Sequence, residues 1–146
     1  MNNSLQTAIF KKLDNIFIIL LSSQLFLIIT SFFIASNNYS VTASNVGNEL
    51  RLAIMIITLT AVVIVRGYYN STISKIKLMP TLDEKIDAFY AASINRLAVT
   101  EILSLINLIT FLTTTQYVFI IISIILFILF IVYRPTEKVF ESELNK

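Results

Sequence analysis

The chain has no cysteine, no histidine and no tryptophan, and only 2 glycines and 2 prolines among its 146 residues. Each absence closes off some chemistry. Without cysteine there is no disulfide and no thiol nucleophile, and without histidine there is no imidazole base; lacking both, the chain has no soft metal site. Gly47 and Gly67 alone cannot build a glycine-rich phosphate loop. Charge is scarce too, at 14% of residues against about 25% in soluble domains. The net charge of +2 is too small to suggest a nucleic-acid partner. The composition therefore points away from an enzyme, a cofactor and a metal. What it offers instead is apolar surface, with 56% hydrophobic residues and a mean hydropathy of +0.81. A chain of this size cannot hide that much from water, so its expected partner is the lipid bilayer.

The charges fall in blocks, leaving positions 15–48 and 102–133 uncharged. Crossing ~30 Å of hydrocarbon takes about 20 apolar residues at ~1.5 Å each. Four segments meet that need, at about 16–35, 50–69, 94–112 and 117–133, which predicts an all-α integral membrane four-helix bundle made of two helical hairpins in a single domain. Thr113, Thr114, Thr115 and Gln116 join the last two segments in a tight turn. The first segment follows Lys11 and Lys12 as a signal peptide would, but its apolar run is too long and no small-x-small site follows it. An uncleaved helix is expected.

Of the 11 Lys and Arg residues, only Arg51 falls on the side opposite the others. Basic residues in short loops stay cytoplasmic, which places both termini inside and the polar loop 36–48 outside. Tyr68, Tyr69, Tyr117 and Tyr133 stand at segment ends, where interfacial tyrosines belong. The inner stretch 71–95 carries Lys75 and Lys77, short of the four to eight basic residues of a lipid-recognition cluster. Asp83, Glu84 and Asp87 fit the favourable charges at a helix N-terminus.

The two halves share a layout. Each has a more polar helix, then a smoother one, then Pro-Thr at the inner face: Pro80-Thr81 and Pro135-Thr136. Thr81 also opens a capping-box pattern with Glu84, which predicts that the third helix starts near position 82, in the cytosol. Aligning the halves sets Gln24 opposite Glu101. A parallel tandem duplication and two independent apolar hairpins both account for this.

Glu101 is the only acidic residue inside an expected span, roughly 7–8 Å deeper than Arg96 at helical rise. Two readings stand. An ion pair or hydrogen bond with Arg96 or Arg66 would hold helix ends together, and a proton or cation role is the default for an acid at such depth. On a helical wheel Ser93, Arg96, Thr100, Ser104, Asn107 and Thr114 lie within about 80° of one another, with Glu101 off that stripe. The stripe should face protein, since lipid offers no hydrogen bonds. It serves either interhelical bonding or one wall of a polar path. Gln24, Ser31 and Ala35 share an inward face of the first helix, whereas the fourth, apolar all round apart from Ser123, reads as largely lipid-exposed.

Leu82-Asp83-Glu84-Lys85, Ile94-Asn95-Arg96-Leu97-Ala98-Val99-Thr100-Glu101 and Tyr133-Arg134-Pro135-Thr136-Glu137-Lys138 together resemble small four-helix bacterial inner-membrane proteins without an assigned activity. In those, an Arg followed by an acid opens the third helix and Arg-Pro follows the fourth. The resemblance implies a bacterial inner membrane and four spans, and no reaction. Ring subunits of rotary ATPases and small multidrug-resistance transporters also use a membrane Glu. The first are rich in glycine where this chain has 2, and the second place the acid on the first helix, where Gln24 stands here. The expected function is a non-catalytic membrane subunit or assembly factor that binds other membrane proteins. The alternative is a small homo-oligomeric transporter or channel using Glu101 and the polar stripe.

Overall fold

Long runs without Pro, and with one tolerated Gly, let the helices continue well past the apolar segments that define them. The computed structural model describes residues 3–37 and 48–145. Among these it is all-helical: α1 (Asn3–Ser36), α2 (Asn48–Lys77), α3 (Leu82–Thr114), α4 (Tyr117–Val132) and α5 (Glu137–Asn145). Three of them, α1, α2 and α3, are long and apolar enough to cross a membrane. With 16 residues, α4 reaches only about 24 Å. It passes the same test only together with α5, from which it is bent by 76°. Most of the expected outer loop 36–48 lies outside the described residues.

Local chemistry sets the boundaries. Thr81, extended at φ −111° and ψ 148°, accepts the Glu84 N–H on its hydroxyl at 3.3 Å and starts α3. Thr136 does the same for α5, accepting the Val139 N–H at 3.2 Å. At the other end of α3, Thr115 adopts the left-handed conformation (φ 53°) and its N–H reaches the Phe111 carbonyl at 2.7 Å. That motif usually takes glycine. It allows the turn to α4 to be two residues long.

α3 is the axis of the molecule. It packs against α1, α2 and α4, while α1 also touches α4. By contrast, α2 rests on α3 and α5 and hardly touches α1 or α4. Of the most apolar 18-residue stretch in each helix, 56% is buried for α3 but 6% for α2. This corrects the expectation for α4. One face of it, with Phe119, Ile120, Ser123, Leu126 and Phe130, is buried, and α2 is the more exposed helix. An apolar helix looks the same whether protein or lipid covers it.

Three apolar layers stack along the axis. At one end Leu108, Phe111, Phe119 and Ile120 pack together. In the middle Phe17 stacks on Phe130 with centroids 5.3 Å apart, beside Leu97. At the other end the extended parts of α1, α2 and α3 meet α5 around Leu13, Tyr69, Ile73, Ile76, Ile86, Phe89 and Phe140. Phe140 lies 5.1 Å from Phe89 and 5.7 Å from Phe10, a triad of tilted and edge-on rings. Arg134, in the α4–α5 link, pairs with Asp14 of α1 at 2.9 Å.

Candidate functional site: the polar seam of the third helix

The polar stripe is buried. Ser93, Thr100, Ser104, Asn107 and Thr114 are all inaccessible to solvent or nearly so, and Arg96 is half-buried. Threonines on α3 satisfy their own hydroxyls by bonding one turn back: Thr100 to the Arg96 carbonyl (2.9 Å), Thr110 to Ile106 (2.7 Å) and Thr114 to Thr110 (2.7 Å). They therefore add no tie to another helix.

Interhelical bonds come from three other stripe residues, Asn107, Ser104 and Arg96. Asn107 donates to Thr58 of α2 at 3.0 Å and to the Leu103 carbonyl at 2.8 Å. Ser123 of α4 donates to the Ser104 carbonyl at 3.4 Å. Arg96 donates to the Tyr133 carbonyl at 3.1 Å, and its guanidinium lies 3.6 Å from the Tyr69 ring centre and 4.3 Å from that of Tyr133. A guanidinium between two aromatic faces gains stacking and cation–π attraction on both sides. One stripe thus serves two neighbours, α2 and α4.

Glu101 faces a third neighbour, α1, where Ser23 donates to its Oε1 at 3.2 Å. The expected ion pair with Arg96 or Arg66 is not formed among the described residues. Arg96 is held by the two tyrosines, and Arg66 is exposed on α2. Five residues along a helix is about 140° around it, so Arg96 and Glu101 look in different directions. Glu101 Oε2 has no hydrogen-bond partner, and neither has either polar side-chain atom of the fully buried Gln24 on α1. The Ser93 and Ser104 hydroxyls and Asn107 Oδ1 are also unpartnered. Such orphaned groups are costly in a dry interior and mark a place for water, an ion or rearrangement.

Sequence reasoning passed over several contributors. Ser23 and Thr58 are hydroxyls on apolar helices, next to Ser22 and near Thr60 respectively, and only the packing tells them from their neighbours. Tyr69 and Tyr133 read as interfacial anchors, yet they turn inward to sandwich Arg96. The whole of α5 was missed as well, although Thr136 repeats the Pro-Thr start of α3 and Val139, Phe140 and Leu144 supply an apolar face. Among the described residues no group of His, Cys, Asp and Glu is arranged to hold a metal ion. No protein-family model, curated protein or solved structure matches the chain.

Proposed function

We propose that this is a four-span protein of a bacterial inner membrane, with both termini cytoplasmic, that acts without catalysis by binding other membrane proteins or a second copy of itself through α2. One observation carries the reading: only 6% of the apolar stretch of α2 is buried. Helices in lipid associate through van der Waals packing and interhelical hydrogen bonds, and α2 has used little of its surface for either. Its outward side also bears Thr60 and Gly67, and a Cβ placed on Gly67 would meet nothing within 4 Å. The ten-to-one placement of basic residues supports the orientation.

A photo-crosslinking residue at Val63, 70% exposed on α2, should give a discrete protein adduct at native expression. The same residue at Ile128, 55% exposed on α4, should give lipid adducts only. Lipid adducts alone from both positions would overturn the docking reading.

The second reading, a homo-oligomeric transporter, is favoured by the unpartnered Glu101 Oε2 and Gln24 amide in the interior. Flux of protons or alkali cations through reconstituted vesicles, lost in Glu101→Gln, would establish it. Vesicles no leakier than empty liposomes would remove it.

A further inference from the structure

At the end of the molecule that carries α5, four helices converge on a cavity of ≈ 430 Å³. α2 contributes Arg66, Tyr69 and Asn70, α3 contributes Arg96, and α5 contributes Ser142 and Glu143, while Leu129, Val132, Tyr133 and Val139 complete the wall. Polar and apolar groups share the lining about equally. α2 and α4 both pack on α3 and make few contacts with each other, and the cavity lies between their ends nearest α5.

The charges are unbalanced. Arg96 is fixed by its tyrosine sandwich but makes no salt bridge among the described residues, and its Nε is buried without a partner. Arg66 is also without an acidic partner among them. Glu143 lies within electrostatic reach of Arg96. Two guanidiniums and one carboxylate leave a single net positive charge. Guanidinium is the side chain best matched to phosphate oxygens, and Asn70, Ser142 and the Tyr69 hydroxyl add neutral polar groups.

We infer that this cavity binds the phosphodiester of an anionic phospholipid, its headgroup between Arg66 and Arg96 and the start of an acyl chain against Leu129 and Val132 of α4. The shared chemistry is a phosphate diester of one negative charge, and the apolar lining residues Leu129 and Val132, at the end of an apolar helix, assign it to a lipid rather than a soluble ester. This site rests on the reading that the α5 end lies at the inner membrane surface. It does not depend on the protein-docking role of α2.

Native mass spectrometry of the full chain in detergent, titrated with phosphatidylglycerol, phosphatidylcholine or the soluble ester glycerophosphoglycerol, tests it. Wild type should hold one phosphatidylglycerol in preference to phosphatidylcholine and should not retain the soluble ester. Arg66→Gln should weaken phosphatidylglycerol binding about fivefold, equivalent to the roughly 1 kcal/mol that one basic residue contributes near an anionic surface. Arg66→Lys, which keeps the charge, should retain most of it. Glu143→Gln removes the repelling carboxylate and should tighten binding. Arg51→Gln, at the far end, should change nothing.

Equal affinity in wild type and Arg66→Gln would overturn the site. Weaker binding in Glu143→Gln would point to a zwitterionic headgroup whose ammonium meets Glu143, and would overturn the anionic assignment. Soluble ester held as tightly as lipid would overturn the lipid assignment. Because only purified protein and lipid are used, failure here leaves the crosslinking result for α2 intact.

Discussion

Five positions separate Arg96 from Glu101, and that spacing decides what each can do. Residues three or four apart share a helix face, whereas residues five apart do not. Arg96 therefore turns to the tyrosines of α2 and α4, and Glu101 turns to Ser23 of α1. Glu101→Gln keeps an oxygen that accepts from Ser23. Ser23 also has the Leu20 carbonyl at 2.9 Å as a second acceptor. Stability in detergent should change by less than about 1 kcal/mol, the scale of one interhelical hydrogen bond in a membrane. Arg96→Lys should cost more despite keeping the charge. An ammonium lacks the plane that stacks between Tyr69 and Tyr133, so a loss of about 1–2 kcal/mol is expected in a denaturant titration. If Glu101→Gln proved the more damaging of the two, the acid would be holding the bundle together through contacts other than Ser23.

At the scale of elements, the turn between α3 and α4 and the final helix respond in opposite ways. Thr115 is the one non-glycine residue with positive φ among those described, and a left-handed conformation costs an L-residue roughly 1–2 kcal/mol. Thr115→Gly should raise the thermal midpoint, with a gain of about 1 kcal/mol, since glycine adopts that conformation without penalty. A lower midpoint would show that the threonine hydroxyl, bonded to the Thr114 carbonyl at 2.7 Å, outweighs the backbone strain. In α5, Phe140 is 5% exposed and anchors the helix to Phe10 and Phe89. Phe140→Ala removes a buried ring, a change that typically costs ~3 kcal/mol or more. Hydrogen exchange should rise throughout Glu137–Asn145 and along the neighbouring start of α3, while the far end around Phe111 and Phe119 stays protected. Uniform loss of protection would mean that the apolar layers unfold as one unit.

For the whole molecule, the first question is which end faces the cytoplasm. The starts of α1 and α3, the end of α2 and α5 all meet in one apolar layer, so one end of the molecule carries both of these helix starts and the C-terminal helix. With no native cysteine, single cysteines can be read cleanly. Asn37→Cys, exposed at the end of α1, and Glu141→Cys, exposed on α5, should react with an impermeant thiol reagent from opposite faces of oriented vesicles. Reaction from the same face would overturn the up-and-down arrangement, and reaction with reversed sidedness would overturn the cytoplasmic assignment alone.

Local signals in the chain were enough to determine that it is helical and apolar, where its breaks fall and what caps them. Thr81 with Glu84 marks the start of α3, and the four polar residues from Thr113 to Gln116 mark the turn after it. These depend on hydrogen bonds within a few residues, and run length depends on hydropathy alone. Gln24 and the α3 stripe also declared themselves as inward-facing, because polar side chains have no partner in lipid. Which neighbour each one meets was decided only by the tertiary structure. That depends on how three helices are arranged around α3, and both lipid-facing and protein-facing surfaces are built from the same Ile, Leu, Val and Phe. Hence the exchange of α2 for α4 as the exposed helix, and the replacement of a Glu101–arginine pair by a Ser23 bond and a tyrosine sandwich. α5 depends on the fold for the same reason: nine residues do not hold a helix alone, and it is the aromatic layer formed by α1 and α3 that gives Phe140 somewhere to bind.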